Sequence, residues 1–92
     1  MYLINIEVNK DISPEQHDAL FAQHVSWFQR YFDAGKFVLI GPYADRERAG
    51  VIIARTESRE ELDAILKEDV YFPNSAKYEI REFIPKMLGS WQ

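Results

Sequence analysis

The chain has 92 residues, 47% hydrophobic and 14% aromatic, enough for one domain spanning 1–92 around one modest core. It has no cysteine, which excludes disulfides, thiolate nucleophiles and cysteine-based zinc sites and fits a reducing compartment. The formal net charge is −4, and Arg46, Arg48, Arg55 and Arg59 are interleaved with Asp45, Glu47, Glu57, Glu60 and Glu61, a mixed solvated surface rather than the basic stripe of a nucleic-acid binder.

The first residues, Met1 to Glu7, lack the basic region and long apolar run of a signal peptide. No apolar run approaches the ~20 residues that cross a bilayer. A cytoplasmic protein with no membrane or nucleic-acid partner is expected. Tyr2, Ile4, Ile6 and Val8 alternate with Leu3, Asn5 and Glu7, the period of a half-buried strand. Ser13-Pro14-Glu15-Gln16 is a helix start: a serine cap, proline at the first helical position, and glutamine three residues after the serine. Phe21, Val25, Phe28 and Phe32 then recur as a core-facing stripe, with Leu20, His24, Trp27 and Tyr31 along its flank. The helix is predicted from about Pro14 to Ala34, stopped by Gly35.

Phe37-Val38-Leu39-Ile40 is apolar on consecutive residues, as in a strand covered on both faces, and Gly41-Pro42 is expected to end it. Tyr43 to Ala49 reads as an exposed hairpin loop, and Gly50 to Arg55 as the next strand. Ser58-Arg59-Glu60-Glu61 is a second capping box, opening a helix of about ten residues that ends near Glu68. Asp69 to Ser75 is an aromatic loop, and Lys77 to Ile84 is the last strand, stopped by Pro85. Beyond it, Met87 to Gln92 carries apolar anchors without a clear period.

The order β-α-β-β-α-β predicts an α+β, ferredoxin-like fold: a four-stranded antiparallel sheet with both helices on one face. The second and third strands are apolar on both faces, and Leu3 and Phe83 point away from the helices. A monomer would leave that surface wet, so a two-fold homodimer stacked sheet on sheet is expected.

Few residues suggest chemistry. His24 lies on the shoulder of the apolar stripe and can pass a proton in either direction near neutral pH. Read alone, such a residue is first a half-buried histidine with a satisfied hydrogen bond. His17, near the helix start, reads as a surface residue. The two histidines are seven apart, about 10 Å along a helix, too far to share an ion, so no metal is expected. Asp69 follows the second helix among Val70, Tyr71 and Phe72; it is either a solvated helix terminator or a carboxylate that orients a histidine. Gly41-Pro42 is either a strand terminator or a place where a ligand approaches the backbone. Trp27, Tyr31, Tyr43, Tyr71 and Phe72 could line a pocket, whereas Phe21, Phe28 and Phe32 read as core. There is no nucleophile elbow and no phosphate-cradling glycine loop.

Gln23-His24, then Gly35, a strand with Gly41-Pro42, Asp69-Val70-Tyr71 and a closing strand near Phe83-Ile84-Pro85 make nearly the whole chain resemble the YCII-related (YciI-like) family. The resemblance implies a dimeric α+β barrel similar in architecture to muconolactone isomerase, with His24 and Asp69 as active-site pair. Two positions depart: Val70 stands where the family often has proline, and Leu20 and Phe21 occupy the region where many members carry an arginine. That implies a less charged pocket, shaped by Trp27, Gly41, Pro42, Tyr43, Tyr71 and Phe72, suited to a flat, weakly charged ligand such as a phenol or quinol.

The family includes a dehydrochlorinase of a chlorinated trihydroxybenzene. The expected function is therefore cofactor-independent acid/base chemistry of lyase or isomerase type on a small cyclic or aromatic substrate, with dehydrochlorination as the sharpest form. Two rivals stand: a non-catalytic small-molecule-binding module, and an α+β-barrel monooxygenase, for which no haem-ligand arrangement is visible.

Overall fold

The structure is a computed structural model and describes residues 1–90. Trp91, one of the anchors read in the tail, lies outside the described residues. The element order is β1 (Tyr2–Val8), α1 (Pro14–Asp33), β2 (Phe37–Pro42), β3 (Ala49–Ala54), α2 (Arg59–Leu66) and β4 (Ala76–Glu82). The strands form one antiparallel sheet in the order β2-β3-β1-β4, the α+β ferredoxin-like arrangement. Both helices cover one face: Tyr2, Ile4, Ile6 and Val8 of β1 share a core with Trp27 of α1 and with Leu62, Ile65 and Leu66 of α2. Among the described residues no helix is long and apolar enough to cross a membrane.

The local signals act as physical devices. Ser13 Oγ accepts from the Gln16 amide at 3.2 Å, and Ser58 Oγ from the Glu61 amide at 3.1 Å, caps worth about 1 kcal/mol each. Glu61 reaches back to the Glu57 amide at 2.9 Å. At the other end of α1, Gly35 takes φ +80. The Lys36 amide then meets Tyr31 O at 2.9 Å and the Gly35 amide meets Phe32 O at 3.0 Å, the paired bonds that close a helix on a left-handed residue.

One expectation is corrected and two are sharpened. The core-facing side of α1 is the flank: Trp27 is 3% exposed and His24 8%, and Leu20 and Tyr31 are half-buried beside them. The phenylalanine stripe is rotated toward the sheet's β2 side, leaving Phe21 46% and Phe32 48% exposed. Hydrophobicity alone favoured the phenylalanines; what decides the rotation is that Trp27 and His24 find polar partners on the α2 side, as described below. Second, β2 does end with Gly41-Pro42, but the pair lies inside the ladder rather than beyond it. Gly41 pairs with Val51 and Pro42 with Gly50, which a proline tolerates because β2 is an edge strand. Third, within one chain only one face of β2 is covered. Phe37 is buried, while Leu39 is 49% exposed and a register shift lies between these two residues. At the last strand the ladder stops at Glu82, before Ile84.

Candidate active site

α1 is tied to the end of α2 at three successive levels. Arg30 Nη2 meets Glu68 Oε1 at 2.9 Å, Trp27 Nε1 donates to Ile65 O at 2.9 Å, and His24 Nδ1 lies 2.7 Å from Asp69 Oδ1. Helical spacing puts positions 24, 27 and 30 on one side of α1, so these contacts fix both the rotation of the helix and the loop that carries Asp69. The loop is also braced internally: the Asp69 amide donates to Leu66 O at 3.1 Å and the Phe72 amide to Asp69 O at 3.0 Å.

Asp69 is 2% exposed, and both carboxylate oxygens are used. Oδ1 faces His24; Oδ2 accepts the Tyr78 hydroxyl at 2.6 Å. A buried carboxylate needs such partners. Burial, and then the hydrogen bond to Asp69, hold the Tyr78 hydroxyl far above its ordinary ionisation range, so tyrosine is the donor. With Asp69 ionised, His24 Nδ1 carries the proton, and Nε2 is the free lone pair. Nε2 has no hydrogen-bond partner among the described residues, yet no buried side-chain nitrogen or oxygen lacks one there, so Nε2 is open to a neighbouring space.

That space is a cleft of about 380 Å³ between α1 and the β2–β3 part of the sheet. Phe21, Phe28 and Phe32 form one wall; Ile40, Gly41, Pro42, Gly50 and Ile52 form the other. His24 and Tyr71 meet across its inner end, ring centroids 5.0 Å apart, and Phe28 packs edge-on against His24 at 5.3 Å. Gly50 permits the close approach of β3 to β2, since a Cβ there would lie 2.9 Å from Gly41 O.

Of the residues singled out from sequence, His24, Gly41, Pro42 and Tyr71 lie together on this cleft, with Asp69 behind His24. Four lie elsewhere. Trp27 is in the core between the helices, Tyr31 donates its hydroxyl to Glu68, Tyr43 hydrogen-bonds Asn5 on the face of the sheet away from the helices, and Phe72 packs on Tyr78 with centroids 5.5 Å apart. Other residues were not assigned to the site, among them Arg48, which read as part of a solvated charged surface. Phe21, Phe28 and Phe32 read as core. His17 lies on the cleft and bonds Tyr71 Oη through Nδ1 at 3.1 Å. Tyr78 carried a detectable signal, since it is the one hydroxyl on the inward side of β4. Among the described residues, no cluster of three or more metal-ligating side chains occurs.

A four-stranded α+β domain with a buried histidine–carboxylate pair at the back of an aromatic cleft defines the class. The chain belongs to the YCII-related family, whose domain model matches residues 1–85. Among solved structures it is similar to the 5-chloro-2-hydroxyhydroquinone dehydrochlorinase of Burkholderia phenoliruptrix AC1100 in complex with 2,5-dihydroxybenzoquinone, with a TM-score of 0.70 at 13% identity over 91% of this chain and 94% of that one. At that identity the likeness is one of fold. No curated protein sequence matches the chain.

Proposed function

We propose that this protein is an acid/base enzyme of lyase or isomerase type, acting on a small cyclic or aromatic metabolite with His24 as the proton carrier. The observation that carries the reading is the 2.7 Å His24–Asp69 contact, which leaves Nε2 facing an aromatic cleft. Asp69 fixes the tautomer and stabilises the imidazolium that forms when Nε2 takes a proton. Phenylalanine walls suit a flat ring and exclude water from the transfer.

The dehydrochlorinase of similar fold suggests the finer form, loss of HCl from a chlorinated hydroxyquinol. His24 Nε2 would take a proton from a ring hydroxyl and return it to the chlorine-bearing carbon. Removal of a second hydroxyl proton would then expel chloride. Two O–H bonds and one C–Cl bond break, one C–H bond forms, and the net loss is HCl, with a quinone as product and no oxidant required.

The test is chloride release from 5-chloro-2-hydroxyhydroquinone and a panel of halogenated and unhalogenated quinols by wild type and His24→Gln. Turnover that falls about 10²–10⁴-fold in the variant, with an unchanged circular dichroism spectrum, supports the reading. Turnover that survives the substitution overturns it. The mostly apolar lining of the cleft leaves one rival, a binding module. Ligand recovered unchanged, with affinity indifferent to position 24, would establish that instead.

The same reading includes a two-fold homodimer stacked through the open sheet face. Leu39 is exposed there, and Leu3, Val51 and Ile53 are only half-covered. Apolar surface of this kind on a small domain is best covered by a second copy.

A further inference from the structure

We propose that the substrate of this cleft carries an ionised oxygen on its ring, and that Arg48 is the residue that binds it. The inference rests on the cleft being the substrate site, and it names the substrate class and a specificity-determining residue. Among the described residues Arg48 is the only one lining the cleft with a fixed charge; the other titratable lining groups are His17, His24 and Tyr71.

Its charge is uncompensated. Arg30, Arg46 and Arg59 each have a carboxylate within 4.0 Å, but no such partner occurs for Arg48 among the described residues. Its one side-chain hydrogen bond runs from Nη1 to the carbonyl of Ile12 at 2.7 Å. A guanidinium has five N–H donors, and one of them is used by Ile12 O. A half-buried cation beside apolar walls is costly to leave without an anion, and an oxyanion there would gain charge-assisted, two-pronged hydrogen bonds.

The side chain is also held in place. Arg48 has φ 54, in the left-handed region where non-glycine residues are uncommon. Its carbonyl accepts from the Val8 amide at 2.9 Å. The hairpin is thus pinned to β1 through the backbone of this residue and to the start of α1 through its side chain. The bond to Ile12 puts the guanidinium at the end of the cleft where α1 begins, the end that also holds His17. Along the helix His17 and His24 are about 10 Å apart, so Arg48 lies at the His17 end of the cleft, about two helical turns from His24.

The experiment is titration of the full chain with three probes: hydroquinone, neutral; 2,5-dihydroxybenzoate, which adds a carboxylate to the same ring; and 2,6-dichlorophenol as its phenolate. Arg48→Gln keeps a donor for Ile12 O and removes the charge. The expected result is that it weakens one or both anions by about tenfold or more and leaves hydroquinone unchanged, while Arg48→Lys retains part of the preference. Which anion responds identifies the source of the oxyanion. An equal effect on all three probes, no effect on either anion, or no binding by any probe overturns the proposal. The readout is binding without turnover. An anion preference lost in Arg48→Gln alongside full activity of His24→Gln would sink the acid/base reading alone; the converse result would sink only the anion site.

Discussion

Asp69 reaches His24 across 45 positions of sequence and binds it through Nδ1 at 2.7 Å. Both side chains are enclosed, so the carboxylate sets which ring nitrogen meets the cleft. Asp69→Asn keeps the size but can turn an N–H toward Nδ1, reversing the tautomer and placing the proton on Nε2. Turnover is expected to fall about 10²–10⁴-fold. A near-normal rate in Asp69→Asn, measured under saturating substrate, would rule out the orienting role.

Tyr78 donates to the other oxygen of the same carboxylate at 2.6 Å. Tyr78→Phe removes that bond and leaves a lone pair of a buried anion unmet. A loss of about 1.5–3 kcal/mol is expected, read as a lowered urea midpoint with an unchanged slope. An unchanged midpoint would mean that water replaces the hydroxyl.

Alkali is expected to destabilise the fold. Burial first, then the charge of Asp69, pushes the Tyr71 hydroxyl up to about 12, and Tyr78 is raised further in the same direction. Unfolded tyrosines ionise near 10.0. Above that pH the native state therefore holds more protons than the unfolded state, and stability falls as pH rises toward about 12. Below 10.0 both states are protonated and these groups contribute no slope. Urea midpoints from about pH 8 to about pH 11 should decline, and less steeply in Tyr78→Phe. A flat profile in the wild type would contradict this.

The two glycines of the β2–β3 pair are expected to behave oppositely. A Cβ at Gly50 would lie 2.9 Å from Gly41 O and 3.4 Å from Pro42 Cα, whereas one at Gly41 meets nothing within 4 Å. Gly50→Ala should cost about 1–3 kcal/mol by forcing the strands apart beneath the cleft. Gly41→Ala should stay within about 1 kcal/mol of wild type. If a ligand lies on the Gly41 backbone, that variant raises KM at constant stability. Thermal melts and KM measured side by side separate the two effects.

Most of the fold was legible because its signals are local. The alternation in β1 and the two serine caps are each written within a few residues, and so is the Gly35 stop. The rotation of α1 was not, because it depends on where Trp27 and His24 find partners 38 and 45 positions away. The residues alone left His24 and Asp69 as separate candidates, joined only by the family resemblance; the distance that makes them a pair comes from the structure. Arg48 was hidden among alternating charges, since nothing in the run Asp45 to Arg48 shows that one member turns inward through a positive φ.

The homodimer is tested on the open face. Ile53 lies there, opposite Leu39 on one side and Leu3 on the other. Ile53→Asp should convert a dimer to a folded monomer in analytical ultracentrifugation. A wild type that sediments as a monomer at high concentration removes the proposal.

The edge strand β2 has a bearing on how this protein behaves when crowded. A sheet edge offers a row of unpaired amides and carbonyls on which further chains can grow. Here Pro42 supplies no amide, and the register shift near Phe37 disturbs the ladder at the other end of the strand. The opposite edge, β4, carries Lys77, Glu79 and Arg81 on its outer face. Neither margin offers a long, flat, apolar template, so copies that meet edge to edge should separate again. A dimer closed through the open sheet face would then have no edge from which to grow into a fibre.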